Sequence, residues 1–143
     1  MTQAVGKKTD ESTLEFQGGF SSFAVKDVKA AMDFYGETLG LDVSEMMGGY
    51  GFELEIPTTD DKVFVYTKDD HSAATFTVFN LKVEDIEAAA KELKSRGVEF
   101  ESYDGPIKTD ENGIFWGKEK GQGPNISWFK DPSGNIVSIL EPM

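Results

Sequence analysis

The sequence predicts an α+β fold of two tandem β-α-β-β-β modules, forming a curved mixed sheet around a concave cleft with the helices outside. Three observations lead to this. The stretch FSSFAVKDVKAAMDFYGETLGLDV from Phe20 is echoed by VFNLKVEDIEAAAKELKSRGVEF from Val78. In the echo Asp27 matches Asp85, Phe23 matches Leu81, Val25 matches Val83, and Gly40 matches Gly97. In both copies the apolar pattern changes at the aspartate, from strand-like alternation to helical spacing, and further strand-length segments separated by turn residues follow each helix.

The first strand of each copy is expected at residues 20–26 and 76–83, and the helices at 27–39 and 85–96. Val28, Ala31, Met32, Tyr35 and Leu39 share one helical stripe, as do Ile86, Ala89, Ala90 and Leu93. Asp27 and Asp85 can accept hydrogen bonds from first-turn amides, and Gly40 and Gly97 suit the left-handed position beyond a helix end. Gly36 lowers the intrinsic stability of the first helix by about 1 kcal/mol relative to alanine. Strands are then expected at 41–47, 50–56 and 62–67, with Gly48-Gly49 and residues 57–61 as turns. In the second copy they are expected at 98–103, 125–130 and 135–141, with Asp131-Pro132-Ser133-Gly134 as the last turn. The glycine-rich stretch 104–124 is a long connection carrying Ile114, Phe115 and Trp116.

The 143 residues suffice to bury a core. A polar lead-in of residues 1–16 precedes one domain of residues 17–143, with module one at 17–68 and module two at 75–143. No apolar run is long enough to span a membrane, and no apolar segment follows Lys7 and Lys8, so no secretory signal is expected and the cytoplasm is the expected location. The absence of cysteine excludes disulfides, thiolate metal sites and a cysteine nucleophile. A net charge of −12 disfavours nucleic acid and anionic membranes as partners and favours cationic ligands.

Alternation assigns the cleft-facing side chains. With Phe23, Val25, Leu81 and Val83 under the helices, Phe20, Ser22 and Ala24 face the cleft, together with Phe76, Val78 and Asn80. Ile136, Ser138 and Leu140 share a face in the last strand, and Tyr50, Phe52, Trp116 and Trp128 are candidate walls. The single histidine, His71, lies in the polar linker KDDHSAA or at the cleft rim.

The segments AVKDVKAAMDFYGETLGL and WFKDPSGNIVSILEP, at their spacing and with the repeat, resemble the vicinal-oxygen-chelate superfamily of glyoxalase, bleomycin-resistance and extradiol-dioxygenase proteins over residues 19–142. That resemblance implies a four-ligand metal site. Its positions map to Phe20, seven residues before Asp27; to Val78, seven before Asp85; to Ser138, four after Gly134; and to Val65 or the adjacent Phe64. Phenylalanine and valine offer no lone pair, so no metal and no cofactor are expected. The resemblance also implies a homodimer whose cleft takes a small molecule. A small-molecule-binding protein without the family metal site is the expected function, with Phe20, Ser22, Tyr50, Phe52, Val65, Phe76, Val78, Asn80, Trp116, Trp128 and Ser138 around the ligand, for which the aromatic residues favour a planar molecule and the charge a cation. A metal-free enzyme, drawing on Glu53, Glu55, Tyr66 or Tyr103 as a base, and a non-catalytic interaction module are the alternatives.

Overall fold

The computed structural model describes residues 13–143; residues 1–12 of the expected lead-in lie outside the described residues. Two four-stranded mixed sheets share one topology. The first contains β1 (Ser21–Val25), β2 (Asp42–Met46), β3 (Gly51–Glu55) and β4 (Lys62–Thr67) in the order β1-β4-β3-β2. The second contains β5 (Thr77–Lys82), β6 (Ile114–Trp116), β7 (Asn125–Lys130) and β8 (Ile136–Leu140) in the order β5-β8-β7-β6. In each sheet the first strand runs parallel to the last and the other pairings are antiparallel. The repeat read in the sequence is thus a repeat of topology.

Helix α1 (Val28–Asp33) is capped by Asp27, whose carboxylate accepts from the Ala30 amide at 3.1 Å. Helix α2 (Ile86–Ser95) is capped by Asp85 in the same way, from Ala88 at 3.2 Å. A short α3 (Gly117–Lys120) follows β6. Beyond Asp33 the first helix widens into a π-helical turn, Phe34–Thr38. Gly36 lies in that turn, where a Cβ would meet the Val43 side chain at 3.1 Å. The glycine that weakens the helix intrinsically lets β2 approach it closely.

The expected strand at 98–103 is corrected by the structure. Only an isolated bridge, Phe100 to Phe129, forms there, and the edge strand is Ile114–Trp116, inside the stretch expected to be a connection. The cause is local. The Tyr103 amide donates to the Thr109 hydroxyl at 2.8 Å, and the Thr109 amide donates to the Tyr103 carbonyl at 3.0 Å. A chain folded back on itself at Tyr103 cannot extend a ladder, so the two segments divide the free edge of β7 between them.

The core joins both halves. Phe23, Val25, Phe52, Leu54 and Val65 of the first sheet and Phe79, Phe129, Val137 and Ile139 of the second belong to one buried cluster, with Ala31, Tyr35, Ile86 and Ala90 from the helical segments. Tyr35 and Phe34 reach across from the first half, with ring centroids 6.5 Å from Phe79 and 6.0 Å from Phe129 respectively. The Tyr35 hydroxyl donates to the buried Asp131 carboxylate at 2.8 Å. Burial, together with the adjacent carboxylate, pushes the Tyr35 phenol far above its ordinary pKa, so it stays a donor.

Replacing Tyr35 with Phe should cost about 1–2 kcal/mol, because a buried carboxylate loses one of its donors. Replacing it with Ala should cost about 3–5 kcal/mol through the cavity left in the shared core. Urea denaturation of the purified variants measures both, and a Tyr35→Phe protein as stable as the parent would remove the hydrogen bond from this account.

Candidate functional site

The faces of the sheets turned away from the shared core carry the candidate site. In β4 the alternation is strict: Val63 and Val65 pack on the core, so Lys62, Phe64 and Tyr66 point the other way. Cross-strand register sets Phe64 beside Ser22 of β1 and Glu53 of β3, and Tyr66 beside Ala24 and Gly51. The three rings of Tyr50, Tyr66 and Phe64 form a near-parallel ladder, with centroids 6.3 Å and 5.8 Å apart at interplanar angles of 16° and 13°. Gly51 makes room for it. A Cβ there would lie 2.5 Å from the Val65 carbonyl oxygen and 3.0 Å from the Phe64 ring.

Beside the ladder a groove of about 570 Å³ is lined by Phe20, Met46 and Phe64 together with the charged Glu53, Asp60, Asp61 and Lys62. Phe20 is 76% exposed. Lys62 and Glu53 form a loose ion pair at 3.9 Å. The Glu55 carboxyl is held above its usual range, chiefly by its hydrogen bond with Asp60. A second groove of about 510 Å³ follows the seam between β1 and β5, the outer strands of the two sheets, and is lined by Ser22, Ala24, Tyr66, Phe76 and Val78 among others. His71 also lines this seam, with Nε2 3.3 Å from the Ser133 carbonyl oxygen.

On the matching face of the second sheet, Ser138 is fully buried and donates to Asn80 Oδ1 at 2.6 Å. Trp128 is the cross-strand neighbour of Ser138 and meets Tyr103 edge-on at 5.3 Å. The Tyr103 phenol is raised, first by burial and then by Glu101.

The residues expected from sequence therefore divide. Phe20 lines the first groove; Ser22, Phe76 and Val78 gather at the seam; Tyr50 stands in the ring ladder; Asn80, Ser138 and Trp128 share the second sheet's open face. Phe52 and Val65 do not reach either groove: both are fully buried in the core, on the opposite face of their strands. Trp116 also faces the core, with its indole N–H donated to Asp110 at 2.9 Å, while its neighbour Phe115 takes the other face. Phe64, Tyr66 and Gly51 were not expected as a unit. The signal for the two rings was present in the period-two pattern of KVFVYT, once Val63 and Val65 are assigned to the core.

Of the two residues that the family resemblance offers for the fourth metal-ligand position, Phe64 shares the face of Ser22 while Val65 is in the core. The set Phe20, Phe64, Val78 and Ser138 does not fit a divalent ion, because three members lack a lone pair and the serine hydroxyl is already donated to Asn80. Among the described residues no group of three or more His, Cys, Asp or Glu side chains is placed to hold one. No helix among them is long and apolar enough to cross a membrane.

Gly51→Ala should test the ladder. The new methyl should push Phe64 aside, lowering stability by about 1–3 kcal/mol. The near-ultraviolet circular dichroism of the stacked tyrosines should change with it, and an unaltered spectrum would show that the rings do not depend on Gly51.

The model of the Glyoxalase/Bleomycin resistance protein/Dioxygenase superfamily matches residues 19–139. No curated protein matches the chain. Solved structures share the fold at low identity. An integron cassette protein from the mobile metagenome of the Halifax Harbour sewage outfall is 22% identical, with 86% of this chain and 97% of that one covered and a TM-score of 0.61. TnmS3, an antibiotic binding protein from Streptomyces sp. CB03234, is 22% identical over 88% of this chain and 97% of its own, also at 0.61. A variant of the fosfomycin resistance protein FosX from Listeria monocytogenes, complexed with Mn(II) and 1S,2S-dihydroxypropylphosphonic acid, is 12% identical over 90% and 93%, again at 0.61. With the family model spanning both sheets, the chain belongs to the Glyoxalase/Bleomycin resistance protein/Dioxygenase superfamily.

Proposed function

We propose that this protein is a cytoplasmic small-molecule binder that takes an aromatic, positively charged ligand against the open face of its first sheet, without a metal. The observation that carries the reading is the flat ladder of Tyr50, Tyr66 and Phe64 beside a groove that also holds Glu53, Asp60 and Asp61. Parallel rings offer stacking area to a planar molecule, and the carboxylates complement a cation resting on the ring faces. The antibiotic-binding TnmS3 shares the fold, which supports the reading by analogy alone.

We further propose that two copies pair. In one chain the core-facing sides of both sheets are used internally, which leaves Phe20 at 76% and Phe76 at 67% exposed on the opposite sides. A second copy that covers these faces would turn an open groove into an enclosed site.

A panel of cationic and neutral aromatic compounds, followed by calorimetry and thermal shift, tests the ligand. Phe64→Ala should weaken binding roughly ten-fold, the loss of one stacked ring. Phe20→Asp should weaken it far more than the double change Asp69→Asn and Asp70→Asn. Binding should fall, yet persist, at 1 M salt, where the screening length is about 3 Å. A panel that leaves the melting temperature unchanged throughout would refute the binder. Light scattering at micromolar concentration should report a dimer, and monomer alone would refute the pairing.

A further inference from the structure

The groove on the first sheet carries a cation of its own. Among the described residues that line it, Glu53, Asp60 and Asp61 are acidic and Lys62 alone is basic. The three carboxylates are not equivalent. Asp61 accepts from the Thr59 hydroxyl at 2.8 Å. Asp60 shares a hydrogen bond with Glu55, the first cause of the raised Glu55 carboxyl. Both aspartates are thus engaged around the turn between β3 and β4. Glu53 is held more loosely: its partner is the Lys62 ammonium, 3.9 Å away, and the two side chains are 36% and 50% exposed.

Lys62 reaches Glu53 along a diagonal. The residue directly opposite Lys62 on β3 is Glu55, whereas Glu53 stands opposite Phe64. Diagonal neighbours on one face of an antiparallel pair lie within reach of a long side chain. Asp60 has already engaged the Glu55 carboxyl, so the ammonium turns along the strand to the level of Phe64. The groove carboxylate nearest the rings in register is therefore the one neutralised by a flexible, solvated side chain. A pair this exposed shifts an equilibrium by about five-fold at most, because water and salt screen it. Lys62 brings Glu53 charge alone. A cation borne on a planar molecule brings charge and ring contact together.

We propose that Lys62 is a displaceable stand-in for the ligand's cation, and that Glu53 is the carboxylate over which the two compete. The ligand's positive group takes Glu53, and Lys62 turns out to solvent. Small cations without a ring then lose to Lys62, whose tether gives it a high effective concentration at Glu53, while aromatic cations displace it. This rests on the reading of that groove as the binding site and names the residue pair that sets its charge specificity.

Thioflavin T, a permanently cationic benzothiazole, and its uncharged counterpart lacking the ring N-methyl group are the probes, with calorimetry at low salt as the readout. Lys62→Met should tighten thioflavin T about five-fold and leave the uncharged probe unchanged. Lys62→Gln replaces it should the methionine variant fold poorly. Lys29→Met removes the same charge from a comparable exposed pair on α1, with Asp33 at 3.6 Å, and should change neither affinity. In a Glu53→Gln background the gain from Lys62→Met should shrink to about two-fold or less, since the two residues act as a pair. No gain with Lys62→Met, an equal gain with Lys29→Met or for the uncharged probe, or a full gain in the Glu53→Gln background would each overturn the stand-in. A parent protein that binds thioflavin T without any of the expected differences leaves the binder reading standing. Failure of both probes to bind the parent and Lys62→Met also overturns the stand-in, and the wider compound panel then decides the binder separately.

Discussion

A buried carboxylate holds the two halves of this protein together. Asp131 is 4% exposed, and it accepts from the Tyr35 hydroxyl of the first half, from the Ser133 and Asn135 amides of its own turn, and from the Asn135 side chain. Asn135 then donates to the Ala24 carbonyl and accepts from the Ala74 amide, and the Ser133 hydroxyl accepts from the Lys26 amide. One five-residue turn thus fastens the end of β1, the linker and the start of β8. A carboxylate left in such a place without donors would be strongly destabilising, so the turn and Tyr35 need each other. Tyr35 meets that need from inside a widened helical turn and contacts Phe23, Phe52 and Phe79 with its ring.

This joint has a consequence for the opposite faces. Because the helix-facing sides of both sheets are committed to one core, the reverse of the first sheet is left open among the described residues, with Phe20 largely exposed beside it. On the first sheet the side chains of that face are aromatic and flat-lying; on the second they include Trp128 and the closed Asn80–Ser138 pair. On that face of the second sheet Ser138 and Asn80 satisfy each other, whereas the first keeps Glu53 partly exposed in a loose pair with Lys62. That asymmetry between two halves of the same topology is why the first sheet, and not the second, is the better candidate for ligand chemistry.

The aromatic ladder beside the groove depends on a residue with no side chain. Gly51 lies across from Tyr66, and it permits the neighbouring rings to settle over β3 instead of standing upright. Glycine weakens a strand in isolation, and here the cost is offset by aromatic packing across the strands. The same logic applies to Gly36, which admits Val43.

How much of this could be read from the amino acids alone follows the range of the interactions. The repeat, both aspartate caps, both helices and the turn at Asp131 are local patterns, and they stand where their periodicity placed them. The second edge strand does not: Val98 to Glu101 alternates as a strand should, but the bond between Tyr103 and Thr109 competes for the backbone that follows, and β6 took its place. Nor could sequence assign Phe52, Val65 and Trp116 to the core, since shifting a strand by one residue exchanges its faces and only the packed neighbours set that register. The sequence by itself determined the two-module fold, because capping hydrogen bonds and periodicity act over a few residues. Only the tertiary structure decided which rings share an open face, because that depends on how Tyr35 and Asp131 bring two distant segments into one core.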